Sequence, residues 1–209
     1  MKISQVDQGC FKISVSLKNN GKGEILIDPS EDLKSSKIKA DIVIFTENKE
    51  RTGGISKDSF LIESPGEYEI KGIAIQGIEA ERASEKKETQ KSNFTIYTLR
   101  SEGIRACYLG NLGQKELNAG QLERLSTVDV LILPVTSFFT SKELQKIVYQ
   151  IEPRVLIPVE KGGESLKIKF AEFLKEMGAK DIEKRTQIVL KKQELKEEGM
   201  EIIGLAIEQ

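Results

Sequence analysis

The sequence predicts an α/β fold in which two β-sheets pack against each other and helices lie outside them. Two observations support this prediction. Up to residue 99, short segments alternate apolar and polar residues as strands do. From residue 104, strand-like segments alternate with amphipathic helical ones. A chain of this order buries its apolar surface best as two packed sheets with flanking helices, and we expect residues 1–209 to form a single domain.

The first half of the chain is predicted to consist of strands. Residues 11–17 alternate, a turn rich in Asn and Gly follows at 19–23, and the continuous apolar stretch 41–45 is typical of a strand buried on both faces. The polar stretch 82–92 lies between two strands, which predicts an exposed hairpin loop. The predicted strands are 1–5, 11–17, 24–28, 41–45, 59–62, 68–70, 73–78 and 93–99.

The second half is predicted to alternate strands and helices. Residues 141–151 carry one apolar stripe at helical spacing, and residues 164–177 carry another, after which Gly178 indicates a helix end. The predicted helices are 115–125, 141–151 and 164–177, and the predicted strands are 104–109, 128–134 and 155–159. Residues 187–192 and 200–207 are predicted to form a final pair of strands around a charged turn.

Charge and cysteine content limit the classes of function. The chain has 32 basic and 33 acidic residues, so it presents no basic field for nucleic acid or for an anionic membrane surface. Cys10 and Cys107 lie far apart in the sequence, which is typical of two buried thiols. The sequence contains no apolar run of membrane-spanning length and no amino-terminal signal pattern. We therefore expect a cytoplasmic protein that binds neither nucleic acid nor membrane.

The chain contains no histidine. Histidine is the commonest nitrogen ligand of zinc and the usual general base near neutral pH. Its absence excludes Ser-His-Asp and Cys-His triads and every zinc site that contains histidine. Two cysteines are also too few for a zinc site made of cysteine alone.

Several segments, in order along the chain, resemble the metallo-β-lactamase fold family, and in particular its bacterial and archaeal branch of predicted zinc-dependent hydrolases. The most specific match is the segment SPGEYEI at 64–70, followed by Gly72 and Gly77. The other matching segments are VDQGCF at 6–11, IDP at 27–29, YLGNLG at 108–113, VDVLILPV at 128–135 and VLIP at 155–158. The resemblance implies a four-layer αββα sandwich of two mixed β-sheets flanked by helices.

The chain departs from this family where the family binds metal. The resemblance places the histidine-rich metal motif directly after the strand at 41–45, where this chain has ENKERT at 47–52. The middle histidine of the family is expected within residues 79–82, and Gln8 and Tyr108 stand at two more positions where the branch carries histidine. The residues of the former metal site are Glu47, Lys49, Arg51, Thr52, Asn111 (for the bridging aspartate) and Glu160 (for the final histidine).

This pattern indicates a catalytically inactive pseudo-hydrolase that acts as a scaffold or as a ligand-binding or partner-binding protein. The zinc of the family is not expected here, and we assign no catalytic residue and no metal ligand. Lys49 and Arg51 are candidate residues for binding an anion, or they pair with Glu47, Glu50 or Glu160 instead. The expected partner is an unknown protein or a small anionic ligand. A homo-oligomer is also compatible, through an edge strand or through Phe138-Phe139, although these two rings could equally cap the core.

The alternative is a divergent metal-dependent hydrolase of phosphoesters or esters. Glu47, Glu50, Glu160 and one of Glu79 or Glu81, with the amide oxygen of Asn111, are the oxygen donors from which an Mg²⁺ or Mn²⁺ site could be built. Such a metal would activate water. Lys49 and Arg51 argue against this site, because two cationic side chains in the same loop repel a metal ion.

Overall fold

The structure of the chain is a computed structural model that describes residues 1–18, 20–30, 39–47, 55–83, 94–160 and 164–208. Its helices are α1 (Ala119–Leu125), α2 (Ser141–Ile151) and α3 (Glu164–Glu176), with a short 3-10 helix at Lys192–Glu194. Its strands are β1 (Lys2–Asp7), β2 (Cys10–Ser16), β3 (Lys22–Ile27), β4 (Ile42–Ile44), β5 (Phe60–Ile62), β6 (Gly66–Ile70), β7 (Ile73–Ala80), β8 (Phe94–Ser101), β9 (Ile104–Tyr108), β10 (Val130–Val135), β11 (Val155–Glu160), β12 (Lys184–Arg185), β13 (Gln187–Val189), β14 (Glu201–Ile202) and β15 (Gly204–Leu205).

The strands form two large mixed sheets, which confirms the predicted fold class. The first sheet has the order β13-β1-β2-β3-β4-β5, and the second has the order β14-β11-β10-β9-β8-β7-β6. In the first sheet β3, β4 and β5 are parallel, and in the second β9, β10, β11 and β14 are parallel. The remaining neighbours within these sheets are antiparallel.

The main core lies between the two sheets. Alternate residues of each strand point into it, so that Ile13 and Ile25 of the first sheet share one cluster with Leu99 and Ile132 of the second. A second apolar cluster joins the opposite face of the second sheet to the three helices and includes Phe173 of α3. The second sheet is therefore covered on both faces along its parallel part, which explains why β10 is an unbroken apolar segment.

The first helix is shorter than its prediction. The sequence predicted residues 115–125, but α1 begins after Asn118, whose side chain accepts a hydrogen bond from the backbone N–H of Gln121 while the Gln121 side chain accepts one from the backbone of Asn118. This capping box fixes the helix start. The preceding residues form a loop held on α2, where the Gln150 side chain bonds both backbone groups of Leu117.

The final two strands do not pair with each other, so that prediction was wrong. β13 lies beside β1 in the first sheet, with Ile188 opposite Ile3, whereas β14 lies beside β11 in the second sheet, with Ile202 opposite Leu156. The segment between them includes the 3-10 helix and is long enough to cross from one sheet to the other. Each strand thus completes a different sheet instead of forming a hairpin.

Other predictions concern single residues and the polar loop. Cys10 and Cys107 are free and buried, as predicted. Phe139 is buried and packs edge-on against half-buried Phe138, so this pair caps the core. Most of the predicted loop 82–92 lies outside the described residues, but its first residue, Arg82, is paired with Leu112 and not free. Within the described part of the chain, no helix has the length and apolar character needed to cross a membrane.

Candidate functional site

The candidate site lies where the carboxyl ends of parallel strands from both sheets meet. Asp28 follows β3, and Thr46 and Glu47 follow β4, while Asn111 lies in the loop after β9. Glu47 forms an antiparallel bridge with Phe94 of the second sheet, and the backbone N–H of Thr95 donates to the Thr46 carbonyl at 2.9 Å. Two sheets that pack face to face are therefore joined by main-chain hydrogen bonds at this end.

Asp28 fixes the backbone immediately before Glu47. Its carboxylate accepts hydrogen bonds from the Thr46 backbone N–H at 2.8 Å and from the Thr46 hydroxyl at 2.6 Å. Asp28 is buried and has a positive φ of 47°, which a hydrogen-bonded aspartate tolerates better than most residues. The turn that places Glu47 in the site is thereby stabilised by two buried hydrogen bonds.

The buried carboxylate of Glu47 is the centre of a polar cluster. Its side chain is 6% exposed, and each carboxylate oxygen has its own donor. The Asn111 amide Nδ2 donates to Oε1 at 2.5 Å, and the Arg82 guanidinium lies 3.0 Å from Oε2. We refer to Glu47, Arg82 and Asn111 as the Glu47 cluster. A buried carboxylate needs such partners, because an unpaired charge away from water is costly.

Backbone pairing brings Arg82 and Asn111 to the same carboxylate. Arg82 and Leu112 form an antiparallel bridge. On either side of it, the N–H of Ala83 donates to the Asn111 carbonyl at 2.9 Å and the N–H of Gly113 donates to the Glu81 carbonyl at 2.7 Å. The extension of β7 thus pairs with the loop after β9, and this pairing sets the positions of both side chains.

Two glutamine side chains stabilise this backbone pairing through hydrogen bonds. The Gln114 side-chain oxygen accepts the N–H of Glu81 at 3.2 Å, and Gln114 also bonds the Gln121 side chain in α1. Gln121 is buried and donates to the Glu79 carbonyl at 2.9 Å. The end of β7, the loop after β9 and helix α1 therefore form one connected hydrogen-bonded unit beside the Glu47 cluster.

Tyr108 occupies a position where the family resemblance predicts a histidine. Its side chain is buried, its hydroxyl donates to the Gly9 carbonyl at 3.1 Å, and its ring centroid lies 5.3 Å from that of Phe11. Burial, followed by the nearby Asp28 carboxylate, raises the pKa of Tyr108 well above its usual value. The hydroxyl therefore stays protonated and serves as a packing and hydrogen-bonding group. Gln8, at the other such position, is exposed.

Glu160 is not part of the Glu47 cluster. It ends β11, which is separated from β9 by β10, and it lies three residues beyond Ile157, the residue level with Tyr108 at the end of β9, so that the backbones of Glu160 and Tyr108 are about 14 Å apart. The Lys184 ammonium lies 3.4 Å from the Glu160 carboxylate and 5.5 Å from the centre of the Phe170 ring. Glu160 is thus neutralised by a lysine from β12.

The predicted site residues therefore fall into three groups. Glu47 and Asn111 are brought together, Glu160 lies apart, and Lys49, Arg51 and Thr52 lie outside the described residues. Sequence analysis did not assign Arg82 a role. The only signal for it was position, because Arg82 is the last residue of the range 79–82 in which the family's middle histidine was expected.

The side chains of this site do not fit the zinc centre that the resemblance implies. The chain has no histidine, and the carboxylate of Glu47, which was predicted as a site residue, is already bonded on both oxygens. In the described ranges, no three or more Asp, Glu, Cys or His side chains lie close enough together to hold a metal ion. Arginine stays protonated and offers no lone pair, so Arg82 is not a ligand.

Comparisons with known proteins agree with the fold. The chain is similar to a protein from Thermotoga maritima that is assigned as a Zn-dependent hydrolase of the metallo-β-lactamase superfamily, with 23% identity, 99% of each chain covered and a TM-score of 0.78. It is also similar to a metallo hydrolase from the archaeon Ignicoccus hospitalis, with 18% identity, 86% of this chain and 92% of that chain covered, and a TM-score of 0.57. At these identities the likeness shows the fold alone. A search of curated proteins gives no match.

The family assignment comes from the sequence profile of the beta-lactamase superfamily domain. This profile matches residues 2–160, which run from β1 to the end of β11 and include Glu47, Arg82 and Asn111. The matched part is well over half of the 209 residues. The chain belongs to the beta-lactamase superfamily.

Proposed function

We propose that the chain is a catalytically inactive member of the beta-lactamase superfamily, a pseudo-hydrolase that acts as a scaffold or binds a ligand or a protein partner. The observation that carries this proposal is the Glu47 cluster. Both oxygens of the Glu47 carboxylate are bonded within the protein, one to Asn111 and one to Arg82. An internal cation thus stands beside the carboxylate that the resemblance assigns to the metal site.

The guanidinium of Arg82 opposes a metal ion by its charge. Two like unit charges about 4 Å apart repel each other by about 4 kcal/mol near a protein surface, so the guanidinium would oppose a metal ion bound by Glu47. A divalent ion would meet about twice that repulsion. It would also have to replace the hydrogen bond from Asn111. Glu47 therefore stabilises the fold more readily than it would bind metal.

The loop that follows Glu47 suggests the chemistry of a ligand. Lys49 and Arg51 stand in the segment where the family binds metal cations, and we propose them for binding a carboxylate or phosphate group there. The ligand in this proposal is a small anion or an acidic group on a protein partner. The cytoplasm is the proposed compartment.

Metal binding tests this proposal most directly. The chain, prepared without a histidine tag, is incubated with Zn²⁺, Mn²⁺ or Mg²⁺, desalted and weighed by native mass spectrometry, and its melting temperature is measured with each ion. We expect no stoichiometric metal and no shift in melting temperature. Phosphoesterase and esterase assays with the same ions should show no turnover above that of Glu47→Ala.

A positive result would support the alternative of a metal-dependent hydrolase. About one metal ion per chain that is lost in Glu47→Ala or Glu160→Ala would overturn our proposal. Lys146→Ala is the control variant for these measurements and should not change them. Lys146 pairs with Glu116 on the surface of α2, away from the Glu47 cluster. If metal is absent, isothermal titration with inorganic phosphate tests the anion site, and Lys49→Ala and Arg51→Ala should each weaken that binding.

A further inference from the structure

The outer face of the second sheet has a groove beyond the part that the helices cover. The groove has a volume of about 330 Å³, which is within the range of small-molecule sites. Strands β6 to β9 form its floor, and its charged and polar lining consists of Glu67, Glu69, Gln76, Thr98, Arg100 and Arg105. Arg100 lies six positions after Phe94, the residue of β8 that bridges to Glu47, which is a distance of about 20 Å along the strand.

Strand register explains the shape and charge of the groove. Glu69 lies opposite Ala74, Ala74 opposite Arg100, and Arg100 opposite Arg105, so these side chains form one row across four strands. Ala74 has the smallest side chain of the row, and it leaves a depression between Glu69 and the arginines. The groove therefore has an acidic wall on the edge strand β6 and a basic wall on β8 and β9.

The adjacent row gives the groove a polar floor. Glu67 lies opposite Gln76, and Gln76 lies opposite Thr98, on the same outer face as the arginines. Thr98 is 3% exposed and is one of the lining residues of the groove. Amide and hydroxyl groups at the floor can orient a polar ligand by hydrogen bonding.

The two arginines form a like-charge pair that the described protein does not neutralise. Arg100 and Arg105 lie directly opposite each other on antiparallel strands, an arrangement that destabilises a sheet. Within the described ranges, neither guanidinium has a carboxylate within 4.0 Å; Arg105 instead donates to the Leu125 carbonyl at 2.8 Å. The nearby Asp129 carboxylate accepts the Arg105 backbone N–H and is already paired with Lys192 at 2.7 Å.

We propose that this groove binds a small zwitterionic molecule. Its carboxylate lies between Arg100 and Arg105, and its ammonium group lies against Glu67 and Glu69. An anion between the two guanidinium groups removes their repulsion and gains charge-assisted hydrogen bonds. The two carboxylates of β6 repel polyanions and attract the ammonium end, so the acidic wall selects for a ligand with both charges.

The width of the groove sets the spacing of the two charges in the ligand. Arg100 and Glu69 are two strands apart, which is about 10 Å between their backbones. The amino and carboxyl groups of an α-amino acid share one carbon and are too close together to reach both walls. The proposed class is therefore an ω-amino acid or a short peptide with a basic end.

Binding of three compounds of equal chain length tests the proposal. Isothermal titration is performed with 6-aminohexanoate, hexanoate and hexylamine. We expect one molecule of 6-aminohexanoate per chain, bound about tenfold more tightly than either singly charged compound. Arg100→Gln and Glu69→Gln should each weaken its binding by about tenfold, whereas Arg124→Gln, an exposed arginine on α1, should leave it unchanged.

Thermal melts separate a binding role from a structural one. Arg100→Gln removes like-charge repulsion, so the melting temperature of the ligand-free protein should be equal to or above that of the unaltered chain. A clear decrease would assign Arg100 a structural role and overturn the proposal. Failure of 6-aminohexanoate to saturate, or equal binding of hexanoate, would also overturn it. None of these results depends on whether Glu47 binds metal.

Discussion

Gly113 packs directly on the carbonyl group of Arg82. A Cβ atom at position 113 would lie 2.3 Å from the carbonyl carbon and oxygen of Arg82, which is far inside van der Waals contact. The contact is with backbone, so no side chain can rotate away. The close approach allows the N–H of Gly113 to reach the Glu81 carbonyl and so fixes the strand that carries Arg82.

Gly113→Ala should therefore destabilise the fold and disturb the Glu47 cluster. We expect a loss of at least about 2 kcal/mol in the free energy of unfolding, because the added methyl group forces the two backbone segments apart. Urea unfolding followed by circular dichroism measures this loss. Gly120→Ala is the control, since a Cβ there meets nothing closer than 3.4 Å and alanine favours the helix α1. Equal unfolding free energies for the two variants would show that the close packing at Gly113 does not contribute to the stability of the fold.

Removal of Arg82 should leave the buried carboxylate of Glu47 without its guanidinium partner. Among the described residues, the buried carboxylate in Arg82→Ala keeps one partner, Asn111, and we expect a loss of about 1 to 3 kcal/mol in unfolding free energy. Urea unfolding measures it, with exposed Arg124→Ala as the control. Glu47→Gln combined with Arg82→Ala should cost less than the sum of the two single changes, because the residues interact. Strict additivity of the two losses in unfolding free energy would show that Glu47 and Arg82 do not interact.

Acid should weaken the start of α2 through Glu143. A hydrogen bond from Lys115, and then one from the Thr140 backbone, lower the pKa of Glu143 to about 2. Because this folded pKa is below the unfolded value of about 4.3, the charged form stabilises the fold above the unfolded pKa. That contribution is lost as the pH falls from about 4.3 toward 2. Urea midpoints at several pH values should show Glu143→Gln less stable than the unaltered chain at pH 6 and the difference shrinking in acid. A stability difference between the two proteins that did not change with pH would contradict a stabilising role for the charged form of Glu143.

Both thiols should be unreactive in the folded protein. Cys10 and Cys107 are buried, and burial raises the pKa of the Cys107 thiol, so little thiolate is available for alkylation. We expect iodoacetamide to modify neither cysteine at pH 8 and both in concentrated urea, as measured by intact mass. Rapid modification of one cysteine without denaturant would show that its part of the core opens locally.

Local sequence patterns predicted most of the fold because they report burial. Helix α2 has the predicted bounds 141–151, since its apolar stripe and its Thr140 cap agree. The start of α1 was missed because helical composition continues upstream of the Asn118 capping box. The partners of β13 and β14 were also missed, because short strands carry no information on which distant edge they complete.

The candidate site was predicted in part, for a related reason. Asn111 was found because it lies in a segment that matches the family, and Glu47 was found because it directly follows the strand after which the family carries its metal motif. Arg82 was not predicted as a site residue, because its role depends on the pairing of residues 81–83 with residues 111–113. These two segments are remote in sequence. Lys184 was missed as the partner of Glu160 because it comes from β12, beyond the segments that carry the resemblance.

The position of β13 beside β1 has a consequence for how the chain folds. β1 precedes β13 by about 180 residues along the chain, yet the strand that pairs with its outer edge is Gln187–Val189. Contacts between residues so distant in sequence form slowly, because a long loop must close before they contribute. Until then the backbone of β1 presents unpaired hydrogen-bonding groups, which favour association with other chains. Dependence on chaperones should therefore be greatest in the interval after β1 and before β13 leaves the ribosome.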